Sequence, residues 1–277
     1  MMSPETLSFF AHIIEKETGI IYQDINLYQL KTRLEEIMKT EGFEKIEDLE
    51  KIFKSASLPL LLKRKFLDHA TNNETLFFRD PTFFNALQNF VLTEILLENP
   101  KQIKIWSAAS STGQEAISTA IALDELSKKM TIPPFSIVAT DISEKALAKA
   151  QAGIYSDFEI SRGLSPERKA NYFSKVEGGW KINPEISSKI NYGYNNLINS
   201  AVYGPFHIIL CRNVLIYHKV ETKKIVLDSL FSQLDSDGAI LMGVGETMLG
   251  LRDKVSTRVI GNVTFYKKQS LTDSKAS

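Results

Sequence analysis

From about residue 4 to residue 70 the apolar positions recur at helical spacing: Leu7, Phe10, Ile13 and Ile14, then Leu27, Leu30, Leu34 and Ile37, then Leu49, Ile52 and Phe53. Residues three and four apart share one helix face, so this stretch predicts a small all-α bundle. Gly19 and Gly42 fall where helix C-caps are expected, because a helix often ends on a left-handed residue that glycine adopts without strain. The pattern changes after Thr71-Asn72-Asn73. Asp80-Pro81 predicts a helix start: aspartate can cap free backbone N–H groups, and proline at the first position gives up no hydrogen bond. That helix carries Phe83, Phe84, Leu87, Phe90, Val91 and Ile95 and should end before Pro100.

Beyond it, short β-rich runs alternate with helical segments. Ile103-Lys104-Ile105-Trp106 predicts a strand, followed by a Ser/Thr/Gly turn and a helix through Ile117, Ile121 and Leu126. Phe135 to Thr140 predicts a second strand, ending at Asp141, with a helix from about Glu144 to Gln151. Phe206-His207-Ile208-Ile209-Leu210-Cys211 is almost wholly apolar, as a central parallel strand should be. A helix over about 219 to 234 and a buried strand over Ala239 to Gly243 follow. Gly261-Asn262 between two β-rich runs is a hairpin signal. Such alternation predicts an α/β fold with a parallel, doubly wound sheet closed by an antiparallel strand. Residues 153 to 195 break the rhythm, and Gly178-Gly179 before Trp180-Lys181-Ile182 suggests a small β insertion at about 172–192. The expected organisation is a helical domain over 1–72, a sheet domain over 73–268 and a short polar, disordered tail over 269–277.

Composition narrows the classes. Lys+Arg and Asp+Glu both number 33, so no net field draws in nucleic acid or anionic lipid. One cysteine, Cys211, can form no internal disulfide, and His12, His69, His207 and His218 lack metal-ligand spacing, so no metal is expected. No apolar run reaches the ~18 residues that cross a bilayer, and Met1-Met2-Ser3-Pro4-Glu5 lacks a cationic leader, so a cytoplasmic protein is expected.

In an open α/β sheet, ligands bind where strands end. Three strand ends here carry polar residues. Ser107 to Glu115 is a turn of small residues that lets backbone approach a ligand, with one glycine rather than the dinucleotide fingerprint. It reads equally as an ordinary strand-to-helix turn. Asp141 stands where ribose hydroxyls can be held, or where a helix cap is needed. Arg212-Asn213, leaving the apolar strand, needs a partner for its buried charge, either a ligand or a structural salt bridge. A fourth polar segment, Asn73-Glu74-Thr75-Leu76-Phe77-Phe78-Arg79-Asp80, joins the two parts of the chain.

Taken together, these four segments resemble the CheR-type chemotaxis receptor methyltransferases over about residues 4 to 267. Asn73 to Asp80 is similar to the family's N-E-T-x-F-F-R-D signature, and Ser111-Thr112-Gly113-Gln114-Glu115 to its S-T-G-E-E turn, with Gln114 in place of the first acid. Ala139-Thr140-Asp141-Ile142 and Cys211 to Tyr217 match in order and spacing. The resemblance implies a Rossmann-like sheet that binds S-adenosylmethionine, and a glutamate O-methyltransferase of chemotaxis receptors. It implies Arg79 on the cofactor's methionine carboxylate, Asn73 and Thr75 lining that pocket, and Glu115 near the amino end. It further implies Asp141 on the ribose, Asn196 and Leu197 on the adenine, and Arg212 and Asn213 completing the site, with Tyr217 beside the reacting methyl. Arg79, Arg212 and Tyr217 are thereby the expected catalytic residues. The partners implied are receptor cytoplasmic helices, met by basic residues of the helical domain; here Lys31, Arg33, Lys39 and Lys63-Arg64-Lys65 are the candidates.

Two departures stand out. The family's Gly-His-Ser-Glu is Gly243-Val244-Gly245-Glu246 here, and the β insertion is short, so no C-terminal peptide tether on the receptor is expected. Two other readings stay open: a non-catalytic module that binds S-adenosylmethionine or S-adenosylhomocysteine, and a carboxyl methyltransferase for another protein. A nicotinamide oxidoreductase would need the three-glycine turn, which is missing.

Overall fold

The computed structural model describes residues 2–22, 26–55, 57–202, 204–248 and 255–269, so most of the expected disordered tail lies outside the described residues. The chain opens with four helices: α1 (Pro4–Thr18), α2 (Leu27–Glu41), α3 (Ile46–Lys54) and α4 (Leu60–Ala70). Ser3 caps α1 by accepting from the Thr6 amide, ahead of Pro4 in the first turn. Gly19 and Gly42 end α1 and α2 in the left-handed conformation, at φ 75° and 78°. The helices close over Phe10, Ile14, Leu30, Leu34, Leu49, Phe53 and Phe66.

The expected basic face of this bundle is largely neutralised. Arg33 turns inward and donates to the Tyr22 hydroxyl and the Ala70 carbonyl oxygen. Lys31 pairs with Glu35, Lys63 with Glu17, Arg64 with Glu144 and Lys65 with Glu41. Each cation expected to face outward, apart from Lys39, is therefore already engaged within the chain.

The rest of the chain alternates strands and helices. The strands are β1 (Ile103–Ala108), β2 (Phe135–Asp141), β3 (Ile154–Tyr155), β4 (Phe173–Val176) and β5 (Gly179–Ile182), then β6 (Ile190–Tyr194), β7 (Phe206–Cys211), β8 (Leu234–Met242), β9 (Val255–Ile260) and β10 (Val263–Lys268). The helices are α5 (Pro81–Thr93), α6 (Gln114–Ser127), α7 (Glu144–Ala152), α8 (Asp157–Ser161), α9 (Pro166–Tyr172), α10 (Pro184–Ser187) and α11 (Val220–Ser232). Seven strands form one sheet in the order β6-β2-β1-β7-β8-β10-β9, while β3, β5 and β4 form a small antiparallel sheet. The first five of the seven run parallel; β10 is antiparallel to β8 and β9 to β10.

Side chains alternate across a strand, and helices cover both faces, so the central strands are apolar on both sides. Ile105, Ile137, Ile208, Leu210 and Leu241 pack on one face with Leu87, Phe90 and Ile121. Trp106, Ile209, Cys211 and Ile240 pack on the other with Val226, Leu227 and Leu230.

The structure differs from the sequence expectation at three points. The insertion begins at β3, earlier than about 172, and residues from Ile190 already pair with β2 as the sheet's edge strand β6. β8 starts at Leu234 rather than Ala239, with a register irregularity between Phe206 and Ile208. Asp80 precedes α5 but makes no side-chain cap, because its carboxylate is taken by Arg212. Among the described residues no helix is long and apolar enough to cross a membrane.

Candidate active site

Parallel strands point their C-terminal ends at one edge of the sheet, and the loops leaving β1, β2 and β7 meet there. The segment 71–80 crosses that edge. Between them lies a cleft with about 1020 Å³ of empty space, counted to its open mouth. Asn73, Thr75, Arg79, Glu115, Asp141, Arg212, Asn213 and Tyr217 all line it. Five of its framing residues adopt positive φ without being glycine: Phe78, Asp80, Ala109, Ser111 and Asn213. Such backbone is strained, and it persists only where surrounding contacts over-determine it.

Those contacts are explicit around Asp141. Its carboxylate accepts from the Ser111 amide at 2.7 Å and from the Ser143 amide at 2.9 Å. The Ser111 hydroxyl donates to the Asn73 carbonyl oxygen at 2.8 Å, and the Asn73 amide group donates to the Ser143 hydroxyl at 3.3 Å. Ser143, not Asp141, caps α7 by accepting from the Ala146 amide. Burial raises the Asp141 pKa above the ordinary carboxylate value, and the backbone donors offset only part of that. Each oxygen still has lone-pair capacity for a further donor.

Arg212 is the most deeply engaged charge in the site. Its guanidinium donates to Asp80 at 2.6 Å, to Glu115 at 3.1 Å and to the Arg79 carbonyl oxygen at 3.1 Å, and it lies 3.9 Å from the Phe83 ring centre. Its Nε is buried without a partner. Glu115 is held from its other side by the Ser107 hydroxyl at 2.8 Å. Both acids and the arginine thus build one wall of the cleft, and the structural salt bridge left open above is present. Arg79 differs. Among the described residues its guanidinium has no ion-pair or hydrogen-bond partner, and it faces the same cleft.

Tyr217 ends the loop that leaves β7. Its hydroxyl accepts from the Asn72 amide group at 3.1 Å, and the Asn72 Oδ1 is fixed by the Glu74 amide, which sets the orientation of that amide group. The phenolic proton is then free to point elsewhere.

The helical part completes the cleft. Ile20, Ile21, Tyr22, Gln29 and Arg33 line it from above, none of which their sequence pattern singled out as cleft residues. Ile20 forms an isolated antiparallel bridge with His218, and the Ile21 amide donates to the Tyr217 carbonyl oxygen at 2.9 Å. His218 is buried, which lowers its pKa, and its ring nitrogens stand 3.0 Å from the Val214 oxygen and 3.2 Å from the Thr18 oxygen.

A smaller pocket of about 350 Å³ opens between Ala109, Asp141, Ile142, Asn195, Asn196, Leu197 and Val214. The Asn196 amide group donates to the Glu17 carbonyl oxygen at 2.7 Å, so that donor is occupied. Its neighbour Asn195 is buried, accepts from the Ala201 amide, and has an unpartnered Nδ2. The doublet Asn195-Asn196 carries no sequence cue to which side chain is free.

The comparisons with known proteins agree with one another. A family model described as "CheR methyltransferase, SAM binding domain" matches residues 73–262. A chemotaxis protein methyltransferase of Vibrio parahaemolyticus is 37% identical over 249 residues, 88% of this chain and 90% of the relative. One of Pseudomonas putida is 36% identical over 263 residues, 91% of this chain and 94% of that protein. A third, of Pseudomonas aeruginosa, is 36% identical over 250 residues, covering 88% and 90%.

Proposed function

The chain belongs to the CheR family of chemotaxis protein methyltransferases, and on that premise we propose that it methylates glutamate side chains on the cytoplasmic helices of chemotaxis receptors. The cofactor is S-adenosylmethionine, and the protein works in the cytoplasm. The observation that carries the assignment to this cleft is the unpaired Arg79 guanidinium standing with buried Asp141 at the ends of the strands.

The residues fit that cofactor. Arg79 takes the methionine carboxylate as a charge-assisted pair. Asp141 accepts from the ribose hydroxyls. The adenine fits the smaller pocket beside Leu197, where Asn195 has a free amide donor and Asn196, held by the Glu17 carbonyl oxygen, lines the wall. Asn73, Thr75, Glu115 and Asn213 frame the methionine arm. Bound S-adenosylmethionine supplies a methyl group on a sulfonium, which a carboxylate oxygen can take directly to give an ester and a neutral thioether.

The receptor carboxylate is already ionised at neutral pH, so no strong general base is needed. The chain's task is alignment and exclusion of water. Arg212 has both its charge partners within the chain, so it holds the cleft wall and the cofactor side. That leaves neutral donors, Tyr217 foremost, to orient the incoming carboxylate. A cation there would stabilise the ground-state carboxylate more than the transition state, in which its charge is being lost.

We assign receptor docking to the helical domain beside α2, with less weight on charge than a basic face would give, since Arg33 points inward. The β4–β5 hairpin turns through only Glu177-Gly178, with Val176 paired to Gly179. This supports docking without a C-terminal tether. Deleting the last residues of a receptor fragment is then expected to leave its methylation rate unchanged within about twofold; a loss of an order of magnitude would restore the tether.

The primary test is titration calorimetry with S-adenosylmethionine and S-adenosylhomocysteine, followed by transfer of a labelled methyl to receptor cytoplasmic fragments. Binding of both with base-labile label on glutamate is the expected result. Absence of binding overturns the cofactor assignment. Binding without transfer favours a non-catalytic sensor of the cofactor.

A further inference from the structure

Glu246 lies outside the cleft, on the far side of Arg212, and is only 8% exposed. Its carboxylate gathers four backbone N–H groups. One oxygen accepts from the Asn213 amide at 2.6 Å and the Gly243 amide at 2.8 Å. The other accepts from the Leu215 amide at 2.9 Å and the Ile216 amide at 3.2 Å. Among the described residues no lysine, arginine or histidine pairs with it. The hydrogen bonds to its carboxylate come from backbone donors.

Three of those donors belong to one segment, 213–216, which leaves β7 and ends at Tyr217. That segment cannot satisfy them itself. Asn213 is in the left-handed region at φ 59°, and Leu215–Tyr217 is a single 3-10 turn, whose first amides have no partner within the turn. The fourth donor, Gly243, closes the loop from the other side. The Glu246 amide donates to the Gly243 carbonyl oxygen at 3.0 Å, and this turn folds the carboxylate back onto the neighbouring strand end. No side chain fits at Gly243, where a Cβ would stand 2.7 Å from the Asn213 Nδ2 and the Glu246 oxygen and 2.8 Å from the Asn213 backbone nitrogen. Gly243 and Glu246 therefore work as one device, while Val244 between them is 78% exposed and free to vary.

We propose that Glu246 is a positioning residue for methyl transfer, fixing the segment that holds Asn213 and Tyr217 at the cleft. The inference rests on the proposed methyltransferase reading and deepens it. It also accounts for a sequence in which the two residues before the glutamate depart from the family pattern while Gly243 and the glutamate are kept.

Glutamine has one acceptor oxygen where glutamate has two, so Glu246→Gln leaves two of the four amides facing an NH₂ group. A displacement of about 1 Å at reacting groups lowers rates by up to about 100-fold. Glu246→Gln is therefore expected to lower kcat on a receptor fragment by about 10- to 100-fold, while S-adenosylhomocysteine affinity falls less, by no more than about tenfold, because Asn213 moves with the segment but Arg79 and Asp141 do not. The deciding measurement is a double-mutant cycle with Tyr217→Phe. If Glu246 acts by placing Tyr217, the glutamine substitution has at most about a twofold further effect in that background. An equal loss in both backgrounds, or an unchanged kcat in the single variant, overturns the proposal. If Glu246→Gln fails to bind S-adenosylhomocysteine, Glu246→Asp is measured in its place; it keeps every acceptor but draws the carboxylate back by one methylene, and the same outcomes decide. A wild-type protein inert on receptor fragments would instead point to failure of the functional reading.

Discussion

Asp141→Asn is expected to lower the affinity for S-adenosylhomocysteine by about 100-fold, as two charge-assisted hydrogen bonds to ribose hydroxyls would become weaker neutral ones at about 1.5 kcal/mol each. Titration calorimetry reads this directly, and an affinity within threefold of wild type would remove Asp141 from the site. The same residue sets a pH dependence. Burial raises its pKa in the folded protein above the ordinary carboxylate value. The sign follows: protonation favours the folded, cofactor-free chain, so this contribution to stability is fully present below the ordinary value and is lost as pH rises through the raised one. Cofactor affinity runs the other way. It falls on acidification, starting above the pH at which an exposed aspartate would titrate. Opposite slopes of unfolding stability and of S-adenosylhomocysteine affinity in that window are the expected signature, and parallel slopes would contradict it.

Arg79→Met is the second large effect. Removing this cation, which has no partner among the described residues, is expected to leave the cofactor's carboxylate unpaired in a partly buried site, at about 3 kcal/mol or about 100-fold in affinity. A partial ligand separates the two substitutions. 5′-Methylthioadenosine has the ribose and adenine but no amino-acid arm. Its affinity should be unchanged by Arg79→Met and weakened by Asp141→Asn. If Arg79→Met weakens both ligands equally, the arginine acts through the loop rather than on the carboxylate.

Much of this arrangement could be read from the chain because strand ends in an α/β sheet announce themselves. Ile105-Trp106, Ile137-Val138-Ala139 and Ile208-Ile209-Leu210-Cys211 are apolar runs, and polar side chains cluster at or just beyond the strand ends, at Ser110-Ser111, Asp141 and Arg212-Asn213. β6 is hard to read because Asn191 and Gly193, both poor strand formers, break an edge strand of five residues. The site residues lay in motifs, but their partners did not. Arg212 and Asp80 are 132 positions apart, and Glu246 lies 33 from Asn213. Nothing local in the sequence distinguishes an aspartate that caps a helix from one that clamps a distant arginine. The partners of Arg33 are invisible in the sequence for the same reason, since Tyr22 and Ala70 claim it only in three dimensions.

The seam between Thr18–Tyr22 and the loop 214–218 bears on how such proteins can be recombined. Ile20 and Ile21 pair with that loop through backbone, and His218 touches the end of α1. Gly19 leaves no room there, since a Cβ would sit 2.5 Å from Thr222 and 2.8 Å from the His218 ring. A chimaera joined at residue 72, meant to trade one receptor preference for another, would cut through the cleft that both parts of the chain line. The heritable module is the helical bundle together with the loop from Arg212 to Thr222, and a working graft has to carry both.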